Sequence, residues 1–243
     1  MIIDTEKCFV VGDTHAEWRR LNILINKKQP TSIIQVGDFG YWPKFDNSTV
    51  LGDTIIKHDK VVRKKWFLNG IKNPKTPIFW CDGNHEDHES LNNLTNQHGY
   101  TNPIEVLPNV FYMPRASIIK TTKGFTILFI GGANSIDAAW RTPGHDWFHN
   151  ETISLGDVER LPNTQIDIVI SHTCPHEFTL KKDFYDGAKF KDPSMDALSL
   201  VLDKYKPKKW YFGHFHMHDQ GIYNNTRWCC LNMASDSGWY CKL

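Results

Sequence analysis

Cys8-Phe9-Val10-Val11-Gly12-Asp13-Thr14-His15 begins as a four-residue apolar run and ends on a carboxylate and an imidazole. An apolar run this short, closed by glycine, reads as a buried strand, so Asp13 and His15 fall where the strand ends. The pattern recurs along the chain. Ile33 to Val36 precede Gly37-Asp38, and Ile78 to Trp80 precede Gly83-Asn84-His85-Glu86. Ile166 to Ile170 precede Ser171-His172, and Trp210 to Phe212 precede Gly213-His214-Phe215-His216. Only 12 of the 243 residues are His, and those at 15, 85, 172, 214 and 216 all follow a strand and then Gly or, at 172, a strand and then a polar residue. The remaining imidazoles, at 58, 88, 98, 145, 149, 176 and 218, read as structural, with His218 set apart only because it continues the alternation of His214 and His216.

Between the strand ends, helical spacing takes over. Trp18, Leu21, Leu24 and Ile25 form one apolar stripe that stops before Pro30. Ile55, Val62 and Trp66 predict a second helix with Lys57, Lys60, Arg63, Lys64 and Lys65 on a solvated face. A third is expected after Glu86, running through Leu91 and Leu94 towards Gly99. Ala116 to Ile130 reads as a hairpin around Thr122-Lys123-Gly124. Asp192-Pro193-Ser194 opens a later helix whose stripe, Met195, Leu198, Leu202 and Tyr205, stops at Pro207. Strands are expected at 209–212, 221–223, 227–233 and 238–242. Alternating strands and helices predict an α/β chain, taken as a single domain over 1–243.

Charge and composition exclude more than they select. Lys plus Arg number 28 against 27 Asp plus Glu, a formal charge of +1 that offers no global attraction to duplex nucleic acid or a membrane. No apolar run approaches membrane-spanning length, and the first eleven residues lack the features of a secretory signal, so a cytoplasmic protein is expected. Six Cys in so long a chain, two of them adjacent at Cys229 and Cys230, do not form a disulfide framework and read as reduced, mostly buried thiols.

Carboxylate, imidazole and amide ligands without thiolate suit Mn, Fe, Ni or Zn rather than soft ions. Asp38 stands alone in its fragment between two richer ones, which makes it the natural bridge between two metals. Two cations roughly 3.5–4 Å apart hold both oxygens of an in-line displacement and lower the pKa of a bridging water, making hydroxide available near neutral pH. That hydroxide is the expected nucleophile, and the chain contains no G-x-S-x-G elbow for a covalent route.

In this order, Gly-Asp-x-His, Gly-Asp, Gly-Asn-His-Glu, a strand-end His and Gly-His-x-His resemble the signature of the calcineurin-like metallophosphoesterases, and they span Gly12 to His216. The resemblance implies a four-layer αββα sandwich, two mixed β-sheets flanked by helices, with a dimetal site at the strand ends. It further implies that Asp13, His15, Asp38 and His216 hold one metal and Asp38, Asn84, His172 and His214 the other, with manganese expected and iron, nickel or zinc as alternatives. His85 is left to contact phosphate, alongside Asn84, and to protonate the leaving oxygen. Glu86 is expected to support the site without binding metal.

The sequence also departs from one branch of that family. Ala16 follows the first His, and the second motif, Gly37-Asp38-Phe39-Gly40-Tyr41-Trp42, lacks the phosphate-gripping Arg of protein Ser/Thr phosphatases. Gly131-Gly132-Ala133-Asn134-Ser135-Ile136-Asp137, followed by Trp140-Arg141 and Trp147-Phe148, resembles a stretch of compact bacterial and phage members. From there Arg141 is placed either to bind a phosphate oxygen or to form a salt bridge within a packed surface loop, and the Trp residues read first as packing and second as a platform for a base. The segment from Asp183, with Phe184-Tyr185-Asp186-Gly187, to Pro193 reads as a surface connection rather than a lid. The expected activity is hydrolysis of a phosphate ester, with a phosphodiester of a nucleotide or nucleic-acid fragment favoured. The alternatives are a phosphomonoesterase, protein phosphatases included, and a catalytically silent scaffold.

Overall fold

Strand β2 (Cys8–Val11) pairs in parallel with β3 (Ser32–Gln35), β3 with β4 (Ile78–Trp80) and β4 with β6 (Val110–Tyr112). Antiparallel edges, β13 (Tyr240–Lys242) and β5 (Ile104–Leu107), complete a six-stranded sheet. A seven-stranded sheet runs in the order β1 (Ile2–Ile3), β7 (Ser117–Thr121), β8 (Thr126–Ile130), β9 (Ile168–Ser171), β10 (Lys209–Phe212), β12 (Thr226–Cys230) and β11 (Asp219–Tyr223). Within it β8, β9, β10 and β12 are parallel. The computed structural model describes residues 1–46, 71, 75–181 and 192–243. The expected helix through Ile55, Val62 and Trp66, with its basic face, lies outside these residues, as does the stretch Asp183 to Gly187.

Alternation along the strands builds the four layers. Val10, Ile34 and Phe79 from one sheet meet Ile127, Phe129 and Ile170 from the other in an apolar layer between the sheets. Their neighbours Val11, Ile33, Ile78 and Trp80 face the opposite way, onto α1 (Trp18–Lys28) and α3 (His88–His98). On the far side, Leu128, Val169, Trp210 and Phe212 pack against α5 (Pro193–Tyr205). Side chains of successive strand residues point to opposite faces, so apolar residues at consecutive positions are needed when both faces are covered.

The helices form where their stripes and caps allow. Helix α1 buries Trp18, Leu21, Leu24 and Ile25 and stops at Gln29 in the left-handed region, with Lys27 and Lys28 in the last turn complementing the helix dipole. At the start of α5, Asp192 accepts from Ser194 N and Pro193 takes the first turn. The hairpin forms as expected, β7 against β8. Strand β12 ends at Cys230, short of 233, because the chain turns there towards the other sheet, where Ala234 N donates to Asp13 O at 2.8 Å. Strands β1, β5 and β6 and the short helices α2 (Pro43–Asp46) and α4 (Leu155–Glu159) carry too few residues for a periodic signal. Helix α4 owes its place to a capping box between Ser154 and Asp157. All six Cys are free; Cys8, Cys81, Cys174 and Cys230 are buried, Cys229 and Cys241 half-buried. No helix among the described residues is long and apolar enough to cross a membrane.

One buried ion pair joins the β4 end to the loops beyond β8. Arg115 donates to Asp82 through Nε at 2.9 Å and Nη2 at 2.6 Å. The same guanidinium takes the carbonyls of Asn150, Glu151 and Thr152 at 3.1, 2.8 and 2.7 Å and meets Asp157 at 3.3 Å. Removing one member of a buried pair strands the other's charge, at a cost of about 3–5 kcal/mol. Arg115→Met is therefore expected to lower the unfolding free energy by about that amount in urea titrations. A loss under about 1 kcal/mol would show that Asp82 finds other partners or water.

Candidate metal centre

Every ligand-bearing fragment leaves the carboxyl end of a parallel strand: β2, β3 and β4 from one sheet, β9 and β10 from the other. Side chains from both sheets therefore reach the same edge of the sandwich. The turns needed to aim them are unusual. His15, Asp38, His214 and His216 have φ of 42°, 52°, 68° and 46°. For residues with a Cβ such conformations cost on the order of 1–3 kcal/mol each, and they persist where surrounding structure enforces them. Glycine is required beside them: a Cβ on Gly37 would lie 2.4 Å from His172 Nδ1, and one on Gly213 1.9 Å from Asp13 Oδ1.

Two clusters of acceptors result. In the first, ligand atoms of Asp13, His15, Asp38 and His216 all lie within 4.8 Å of one another. His15 Nε2 is 3.0 Å from His216 Nε2 and 3.6 Å from Asp38 Oδ2, and His216 Nε2 is 3.3 Å from Asp13 Oδ2. In the second, Asn84 Oδ1 is 3.1 Å from both His172 Nε2 and His214 Nδ1, while His172 Nε2 is 3.4 Å from Asp38 Oδ1. Asp38 thus turns one oxygen to each cluster. His172 Nδ1 sits 2.9 Å from Val36 O, where it donates, leaving the Nε2 lone pair for the cluster. Convergent lone pairs of two imidazoles and two carboxylates in the first cluster, and of two imidazoles, an amide oxygen and a carboxylate in the second, each fit a divalent cation of borderline-to-hard character.

The electrostatics point the same way. Burial would raise the Asp38 pKa, but His172, His85 and His15 hold it well below the usual carboxylate range. Burial would lower that of His172, yet Asp38 by charge and hydrogen bond, and then Asp13, push it up to about 10. The pocket's negative charge thus demands a positive partner, a proton or a cation, and ligation by an imidazole displaces the proton. Burial and then the charge of His172 bring His214 down to about 3, keeping it a neutral donor.

His85 stands outside both clusters. Its ring meets His15 edge-on at 5.3 Å, and its Nε2 lies 2.6 Å from Arg141 Nη2. Arg141, whose side chain is only 8% exposed, is held by Asp137 through Nε at 2.9 Å and Nη2 at 2.7 Å. Loop 131–148 thus brings Arg141 beside His85 while Asp137 pairs with it. Burial, with Arg141's charge added, keeps His85 well below the normal imidazole range. Trp140 is 83% exposed beside Arg141, whereas Trp147 donates to Glu151 Oε1 at 3.1 Å and Phe148 is buried near Trp42. The second-motif aromatics serve the scaffold: Phe39 stacks on Trp80 at 4.7 Å, and Trp42 Nε1 donates to His85 O at 3.1 Å. His218 is elsewhere, with Nδ1 at 3.1 Å from Cys230 O.

Glu86 faces away from both clusters. Its two carboxylate oxygens accept from Gly40 N at 2.9 Å and Gly83 N at 2.7 Å, so it ties the loop carrying Asp38 to the loop carrying Asn84. Burial and the nearby Asp38 charge push its pKa up to about 8. Asp82, Arg115 and Glu151 also support these loops and escaped sequence reading. Their only signal was adjacency to the motif glycine for Asp82 and proximity to the Gly131 loop for Glu151.

With this geometry in view, the sequence model of the calcineurin-like phosphoesterases matches residues 7–218. One solved structure aligns over 94% of this chain and 91% of its own at 14% identity, with a TM-score of 0.54. TT1561 of Thermus thermophilus aligns over 94% of this chain and 89% of its own at 10% identity, also with a TM-score of 0.54. No curated protein matches the chain. At such identities the structural likeness speaks for the fold, two mixed sheets with flanking helices, while the match over most of the sequence speaks for descent. The chain belongs to the calcineurin-like phosphoesterase family, whose chemistry is metal-dependent hydrolysis of phosphate esters.

Proposed function

We propose that this protein is a two-metal phosphodiesterase. Asp13, His15, Asp38 and His216 would hold one divalent cation, and Asp38, Asn84, His172 and His214 the other. The observation that carries this reading is Asp38, whose Oδ2 faces His15 at 3.6 Å and whose Oδ1 faces His172 at 3.4 Å. Manganese is the favoured metal, since the donors are carboxylate, imidazole and amide. Two such cations, when bound, supply Lewis acidity that acidifies a water and neutralises charge on the phosphate oxygens.

The chain's own groups do the rest. The Arg141 guanidinium lies 2.6 Å from His85 Nε2, and a phosphate oxygen arriving there takes charge-assisted hydrogen bonds from it. Drawing Arg141 onto phosphate frees the His85 Nε2 lone pair, which takes up a proton from solvent and then passes it to the leaving oxygen. The preference for a diester follows from charge. Asp137 already neutralises part of Arg141, so the protein offers less positive charge than a phosphomonoester dianion calls for. Trp140, exposed beside Arg141, presents a ring face on which a nucleobase can stack.

Purified with Mn²⁺, the protein is expected to hydrolyse bis(p-nitrophenyl) phosphate with a higher kcat/KM than p-nitrophenyl phosphate, and neither after chelation. Preference for the monoester would make it a phosphomonoesterase. No turnover of either, or of a panel of linear and cyclic nucleotides, would leave a binding module. His85→Ala is expected to retain both metals by elemental analysis and to lose roughly 10²–10⁴-fold in kcat, the usual worth of a general acid. Loss of metal in that variant would put His85 among the ligands instead.

A further inference from the structure

Asn84 can serve the second cluster only if its amide is the right way round. With Oδ1 towards His172 Nε2 and His214 Nδ1 it offers a lone pair to a cation; with Nδ2 there, it would present N–H groups and repel one. What selects the orientation lies behind it. Asn84 Nδ2 is 3.0 Å from Ser135 Oγ, and both residues are buried, at 3% and 5% exposure. A buried amide turned so that Oδ1 serves a cation needs an acceptor for its Nδ2 end, because a buried N–H without one is costly, and the Ser135 hydroxyl oxygen supplies it. Ser135 is held in place by Glu151, whose Oε1 accepts from Ser135 N at 2.7 Å. Glu151 is itself fixed. Trp147 Nε1 donates to its side chain at 3.1 Å, and Arg115 takes its carbonyl at 2.8 Å.

We infer that Ser135, held by Glu151, is a positioning residue that keeps the Asn84 amide with its oxygen towards the second metal. The inference rests on the metal assignment proposed above. Loop 131–148 then has two functions: Arg141 reaches the phosphate, and Ser135 fixes a ligand. The sequence reading assigned nothing to Ser135 beyond its place in that loop.

The test is Mn²⁺ binding to chelator-stripped protein, followed by calorimetry, in Ser135→Ala, Ser135→Thr, Asn84→Asp and the double variant Ser135→Ala/Asn84→Asp. Wild type should bind two ions. Ser135→Ala should weaken only one of them, by roughly 10-fold or more, the usual penalty for losing a ligand's hydrogen-bond partner. Ser135→Thr, which keeps the hydroxyl, should restore binding. Because a carboxylate has two equivalent oxygens and needs no orienting partner, Ser135→Ala should have little further effect in the Asn84→Asp background. An unchanged affinity in Ser135→Ala, equal weakening of both ions, or the same loss in the Asn84→Asp background would overturn the inference. Failure of wild type to bind two ions would instead overturn the metal assignment.

Discussion

A single carboxylate, Asp38, organises this molecule. It is 1% exposed, adopts a left-handed φ of 52°, and places one oxygen in each of two clusters of imidazole, carboxylate and amide groups. A buried charge of this kind is tolerable only when paired and hydrogen-bonded. Asp38 meets that condition through His85 N at 2.8 Å and through whatever positive charge the two clusters contain. Its position at the end of β3, flanked by β2 and β4, lets ligands from both neighbouring strands converge on it. The second sheet contributes His172, His214 and His216 because its parallel strands end at the same edge.

Much of the remaining polar interior holds that arrangement still. Glu86 clamps the Asp38 and Asn84 loops, Arg115 anchors Asp82 and three carbonyls beyond β8, and Ser135 meets the Asn84 amide. Strained backbone at four candidate ligands is held in place by three apolar layers that fix the strands from which those residues emerge. The arrangement also separates ligand residues from His85. That imidazole is close enough to His15 to share the site, yet its nitrogen is engaged by Arg141.

The legible part of the sequence was its local grammar. Short apolar runs closing on Gly, or on Ser for β9, and a ligand located β2, β3, β4, β9 and β10, and helical stripes located α1 and α5, because each signal lies within a few consecutive residues. The ordered motifs pointed to both sheets and to the family. Arg141 was singled out because the second motif lacked its Arg and one loop carried another, and a salt bridge, here to Asp137, was its competing reading. What stayed hidden depends on contacts distant in sequence. Arg115 meets Asp82 and Asp157 across 33 and 42 residues, and Ser135 meets Asn84 across 51, pairings that no local pattern announces. The places of the second-motif aromatics, on Trp80 and on His85 O, are likewise decided by tertiary packing rather than by any local pattern. Strands as short as Ile2–Ile3 form because a partner waits, here β7, and not from any propensity of their own.

The claim on which all this rests is that Asp38 joins two metal ions into one centre. Electron paramagnetic resonance during Mn²⁺ titration of chelator-stripped protein tests it directly, because ions sharing a carboxylate bridge are spin-coupled whereas separate ions are not. A first equivalent giving an isolated-ion spectrum, replaced by a coupled spectrum as the second equivalent binds, is the predicted result. Saturation at one ion, or two ions that keep the isolated spectrum, would contradict a bridge at Asp38.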